Sequence, residues 1–181
     1  MLRFVHTCIL GLIAAGVVHL AIVFMLPDHT VRDAWSRISN AADYYQTIQL
    51  DARPDSPLRI DNPYFAGAAC RFSLEDGLLH VRSEGKIPFW TLAIFDNRSQ
   101  NTFSLNDRVA EDHSLDTILL TPIQMQRLKN DPSADLGQSL FVETDVVEGF
   151  VLVRAFIPDE TWEPQVRAFL NSIRCEAVET Q

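Results

Sequence analysis

The chain has 181 residues, 47% of them hydrophobic, and a formal net charge of −9. That length holds one ordinary globular domain and excludes two full-sized ones. With only two lysines, Lys86 and Lys129, and no grouped Lys and Arg, it does not read as a nucleic-acid binder, and its composition is neither disordered nor collagen-like.

A mean hydropathy of +0.02 averages two different objects. Phe4 to Leu26 (FVHTCILGLIAAGVVHLAIVFML) holds no Asp, Glu, Lys or Arg. At about 1.5 Å per residue, a helix of that length crosses a hydrocarbon core of about 30 Å. The run is longer than the apolar stretch of a cleaved signal peptide, and MLPDHT offers no A-x-A site. We therefore read residues 1–27 as an uncleaved signal anchor and 28–181 as the domain it carries. Arg3 and the amino terminus precede the span, which places the N-terminus in the cytoplasm and the domain outside it, in a bacterium the periplasm. His6 and His19 lie toward the ends of the span, where a neutral imidazole reaches headgroups or water. Gly11 and Ala15 are four apart on one helical stripe, a spacing that lets a second helix approach closely.

Beyond the anchor, the basic residues fall from 15 to 14 because only Arg3 is removed, against all 24 acids, so the domain carries −10. Thr30 and Asp33 form an N-cap pattern for a helix starting at Val31. Its apolar stripe is Val31, Trp35, Ile38, Ala42 and Tyr45. Residues 51–64, with three prolines, read as an irregular connection.

The period then becomes that of strands. Residues 66–74 meet Asp76-Gly77, a strong hairpin signal, and 78–82 return. Residues 89–95, Asp96-Asn97 and 101–105 predict a second hairpin. Residues 116–121 form a short strand, and Pro122 opens a helix that runs to Lys129. A loop over 131–137 leads to strands 139–144 and 149–157, a third predicted hairpin, and a helix over 160–173 follows. Its apolar face is Trp162, Val166, Phe169, Leu170 and Ile173. The pattern predicts an α+β fold: an antiparallel, β-sandwich-like exported domain with flanking helices behind a transmembrane helix.

Cys8 lies within the span, which leaves Cys70 and Cys175 in the exported part. Two cysteines in an oxidising compartment predict a disulfide that pins the C-terminal helix to the sheet. Serine-hydrolase, zincin, P-loop and dinucleotide motifs are absent, as is any Cys/His spacing suited to zinc, so the sequence calls for no cofactor and no metal. The densest polar cluster follows the second hairpin. There Asn106, Asp107, Arg108 and His113 end a strand, where rigid scaffolds present functional groups. An Arg beside a carboxylate binds a polar ligand or pairs internally, and a histidine with a pKa of about 6.5 can serve as a base. The plain alternative is a turn at Asn106-Asp107 closed by Arg108. Phe89, Trp90 and Trp162 read as core aromatics, not as a carbohydrate platform.

The segments ACRFSLEDGLLHV, PFWTLAIFDNRSQNTFSLNDR and FVLVRAFIPDETW together resemble the domain of unknown function 1254 family, in particular its short membrane-anchored Gram-negative members. Ser99-Gln100 departs from the usual pattern, which favours a turn glycine there. The resemblance implies an inner-membrane protein with an exported, mainly β domain, encoded beside a related short protein, and it supplies no reaction or catalytic residue. Two expectations follow. The first is a non-enzymatic envelope module that contacts a membrane or periplasmic protein partner, such as that neighbour, with no nucleic acid. The second is a periplasmic small-ligand binder or hydrolase built on Asp107, Arg108 and His113.

Overall fold

The structure, a computed structural model, describes residues 1–130 and 139–178, and for residues 26–33 and 111 the backbone alone. Among the described residues the elements are helix α1 (Leu2–Ala41), strands β1 (Thr47–Leu50), β2 (Phe65–Ser73), β3 (Leu78–Arg82), β4 (Trp90–Asp96) and β5 (Asn101–Asn106), then a 3-10 turn (Glu111–His113). After it come β6 (Asp116–Leu120), α2 (Pro122–Asn130), β7 (Leu140–Glu143), β8 (Glu148–Phe156), α3 (Glu163–Asn171) and β9 (Arg174–Val178).

The apolar run and the amphipathic stripe form one helix. The backbone of α1 continues from Leu2 to Ala41, so no new helix starts at Val31. The N-cap expected from Thr30 and Asp33 concerns side chains outside the described ones. Leu2–Met25 is long and apolar enough to cross a membrane, and its side chains are not buried against the rest of the chain. The last turns behave oppositely. Ile38 is fully buried against Leu50, Ala69 and Phe150, with Ala34 and Trp35 packed beside it.

The predicted stripe overshoots at Tyr45. Ala42 turns extended (φ −145°) and Tyr45 takes φ 63°, which ends the helix and starts β1. The sequence YYQTI is aromatic and β-branched, a composition that suits a strand better than a last helical turn. The Tyr45 amide donates to the carbonyl of Arg71, and Thr47↔Cys70 through Leu50↔Gly67 pair antiparallel.

Two sheets result, ordered β1-β2-β8-β4-β5 and β7-β6-β3-β9. Residues of both, among them Phe72, Trp90, Leu92, Val151 and Val153 from the first and Leu79, Val81, Leu119 and Val142 from the second, share one apolar core with Val166, Phe169 and Leu170 of α3. That is the sandwich-like α+β arrangement the strand pattern implies. Its outer faces are covered separately. The end of α1, with Leu58 and Ile60 of the irregular segment, covers the first sheet, and Met125 of α2 packs on Leu78, Ile118 and Leu120 of the second.

Of the three predicted hairpins, one forms. β4 and β5 pair antiparallel, with Leu92 opposite Leu105 and a register shift between Ile94 and Phe95. The Asp76-Gly77 turn instead carries the chain from β2 in the first sheet to β3 in the second. β2 pairs with β1 and β8, while β3 pairs with β6 and β9. A turn dipeptide specifies a reversal but not which sheet the returning strand joins. Here nine residues of β2 are matched to β8, and β2 is buried on both faces. The third expected hairpin also crosses between sheets: β7 runs parallel to β6, and β8 lies inside the first sheet. The loop expected over 131–137 lies outside the described residues. α3 is shorter than predicted, and after it the chain forms the additional strand β9.

Gly149 shows how tightly β8 and β4 approach. A Cβ there would stand 2.1 Å from the carbonyl oxygen of Phe95, so no side chain fits.

Candidate functional site

The loop after β5 is fastened to the core by Trp90, which is fully buried on β4, so the core reading of this tryptophan holds. The Asp107 amide donates to the Trp90 carbonyl (3.1 Å), and the Trp90 indole N–H donates to the His113 carbonyl (3.0 Å). Asn106 caps the turn through its Oδ1, which accepts from the Arg108 amide at 3.1 Å. Asp112 and His113 both have positive φ, 56° and 57°. Two successive non-glycine residues in the left-handed region cost on the order of 1–3 kcal/mol each and persist only where surrounding contacts impose them.

Of the four residues singled out from the sequence, the structure pairs the side chains of two. The Asp107 side chain is 7% exposed, and its Oδ2 lies 3.2 Å from Nδ1 of His113, whose side chain is 62% exposed. Its other oxygen, Oδ1, is buried without a hydrogen-bond partner. Arg108 is exposed and forms no ion pair with Asp107 among the described residues, so the proposed Asp–Arg pair is replaced by an Asp–His pair. A buried carboxylate on Nδ1 orients the imidazole of this exposed histidine. Lys86, on the connection between β3 and β4, approaches Asp112 of this loop at 3.9 Å. Among the described residues, no group of three His, Cys, Asp or Glu side chains is arranged to hold a metal ion.

Concave surface lies elsewhere. One cleft of about 450 Å³ opens between residues 51–66 and the start of α3, and an adjoining one of about 600 Å³ runs along α3 toward Asn171. Smaller clefts lie at Phe103 and Val146 and at Arg59 and Arg154. None of these four is lined by Asn106, Asp107, Arg108 or His113.

The expected disulfide is present. Cys70 and Cys175, 105 residues apart, are bonded. Cys175, just after the last helix as expected, lies on the strand β9, so the bond ties β2 of one sheet to β9 of the other and does not pin the helix itself. Cys8 is a free thiol on the apolar helix. On that helix, Gly11 and Ala15 are exposed, and a Cβ at Gly11 would meet nothing within 4 Å.

A second cluster, unanticipated from the sequence, joins the end of α1 to the first sheet. The Arg71 guanidinium on β2 stacks over Trp35 (4.8 Å) and Tyr44 (4.1 Å) and donates to the carbonyls of Ala42 (3.3 Å) and Ser39 (3.5 Å). These are the open carbonyls at the C-terminus of α1, where a cation is favoured. The Tyr44 hydroxyl donates to Glu148, and the Tyr45 hydroxyl is held by Ser73 O (2.6 Å) and Asp76 (2.8 Å). Burial and the Asp76 carboxylate push the Tyr45 phenol up to about 12. At the other end of the docked segment, Ser99 Oγ accepts from the Trp35 amide at 2.9 Å. Ser99 has φ 60°, the conformation for which a turn glycine is the usual residue, and its hydroxyl contact accounts for a serine there.

No family model matches the chain, and no curated protein sequence does. Among solved structures, the VPA0106 protein from Vibrio parahaemolyticus matches with a TM-score of 0.56 at 9% identity, over 83% of this chain and 36% of that one. An uncharacterized protein from Burkholderia cenocepacia matches with a TM-score of 0.45 at 15% identity, over 89% of this chain and 42% of that one. The chain spans less than half the length of either. At 9% identity the first match shows a shared fold.

Proposed function

We propose that the chain is a single-pass inner-membrane protein, N-terminus in the cytoplasm, whose periplasmic domain is a non-enzymatic assembly module for a membrane or periplasmic protein partner. The observation that carries this reading is the continuity of α1. One helix supplies both an unburied apolar span and a segment locked onto the first sheet by Ile38, Trp35 and Arg71. An anchor joined so firmly holds one face of the domain at a set place near a bilayer, which suits a scaffold. The disulfide supports an oxidising compartment. The resemblance to the domain of unknown function 1254 family, carried by the sequence segments quoted for it, supplies the partner class: a related short protein encoded alongside.

Crosslinking in intact cells, followed by detergent solubilisation and native electrophoresis, tests the reading. A discrete complex that contains this chain and a second protein is expected. A solitary monomer under those conditions overturns it.

A further inference from the structure

The two larger clefts share Asp51, Ala52, Ala66 and Arg167, so they form one continuous groove between the 51–64 segment and α3. Its apolar lining includes Ile60, Tyr64, Phe65 and Ile157. Its rim is acidic. Asp51 is paired with Arg53 (2.6 Å) and Glu163 with Arg167 (2.6 Å), which leaves Asp159 and Glu160 without a basic partner among the described residues. Asp159 accepts from the Thr161 amide and hydroxyl, contacts that hold its carboxyl below the usual carboxylate range and keep it ionised. The nine residues of α3 measure about 13 Å, the length of about four residues of extended chain.

We propose that this groove is the partner-binding surface and that its occupant is a short extended segment of a partner protein in which basic and apolar residues alternate. Basic side chains meet the Asp159 and Glu160 carboxylates on the rim, while the alternate apolar side chains enter over Ile60, Tyr64 and Ile157. This deepens the assembly reading and rests on it for the source of the segment. The net acidity of the domain adds a long-range attraction for a basic chain.

The probe is a labelled tetrapeptide, acetyl-Lys-Val-Lys-Val-amide, titrated against the full chain in detergent by fluorescence anisotropy, with acetyl-Glu-Val-Glu-Val-amide in parallel. The basic peptide binds, the acidic one does not, and affinity falls as salt is raised. Glu160→Lys, at an exposed side chain, weakens binding by about tenfold. Tyr64→Ala, which leaves the backbone contacts of Tyr64 to Asn62 and Ile157 in place, weakens it by about fivefold. Glu143→Lys, the same charge change on β7 of the other sheet, leaves it unchanged. Binding of both peptides alike, binding of neither, or equal losses with Glu160→Lys and Glu143→Lys would each overturn the groove. A chain that binds the basic peptide yet migrates as a solitary monomer from cells keeps the groove and loses the assembly reading.

Discussion

Reduction of the Cys70–Cys175 bond is the perturbation whose size follows most directly from the fold. The bond closes a loop of 105 residues, and the chain-entropy treatment assigns a loop of about 100 residues up to about 4.7 kcal/mol, mostly by restricting the unfolded chain. In the folded state the two sheets already share the core around Phe72, Leu79 and Val151, so reduction should leave the native packing in place. Both cysteines are nearly buried, which adds a packing loss if they are replaced by serine but not if they are reduced. With a urea slope of about 2 kcal/mol per molar, a loss of about 4 kcal/mol moves the midpoint down by about 2 M. The assay is urea unfolding of the detergent-solubilised chain, followed by tryptophan fluorescence with and without reductant. Alkylation of the native oxidised chain should label Cys8 alone. An unchanged midpoint after verified reduction would refute the claim that this bond restrains a long loop between two sheets.

Other substitutions test other parts of the fold. Gly149→Ala, which drives a methyl into the Phe95 carbonyl, should cost about 3 kcal/mol or more in a chemical melt; a cost below about 1 kcal/mol would deny the close approach of β8 and β4. Ile38→Ala should destabilise the domain by about 2–4 kcal/mol and raise hydrogen exchange at Leu50 and Phe150, whereas an unaltered exchange pattern would mean that α1 is not docked. His113→Ala removes the side-chain contact that His113 makes to the buried Asp107 carboxylate and should cost about 1–3 kcal/mol by thermal melting, more than Arg108→Ala, whose side chain is exposed. Tyr45 has its phenol pushed up from 10.0 to about 12 in the folded chain. A raised folded value contributes stability that is complete below about pH 10 and is lost as pH climbs from there toward 12. Ultraviolet titration should show a late phenol that vanishes in Tyr45→Phe, and that variant should lose less stability above pH 10 than the native chain does.

The parts of the fold that were legible in the sequence are those fixed by local pattern. The apolar run of α1, the β4–β5 pair around Asp96, Pro122 at the start of α2 and the Val166, Phe169 and Leu170 face of α3 all follow from spacing and composition. Pairing across the chain was not. Asp76-Gly77 and the Asp145–Glu148 stretch both look like hairpin turns, yet each passes between sheets, because β8 satisfies β2 and β4 on its two edges. β1 is hidden behind an apolar helical stripe that continues to Tyr45, and β9 is an edge strand in which Cys175 alone is buried, so it shows little apolar alternation. In the candidate site, adjacency in sequence favoured Asp107 with Arg108, while the two left-handed residues Asp112 and His113 fold the loop back and bring His113 onto the carboxylate instead. The Arg71 cluster gave no local signal, since its partners Trp35, Tyr44 and Ala42 lie about 30 residues earlier.

Protease accessibility combined with thiol trapping tests the anchored-domain account most directly. Cells are treated with an alkylating reagent, opened at the outer membrane, and exposed to protease before and after lysis of the inner membrane. With the domain anchored outside the cytoplasm, the chain stays in the carbonate-washed membrane, Cys70 and Cys175 are recovered as a disulfide, and the domain is cleaved while the inner membrane is still intact. A domain that is protected until the inner membrane is broken, with Cys70 and Cys175 both alkylated, would contradict it.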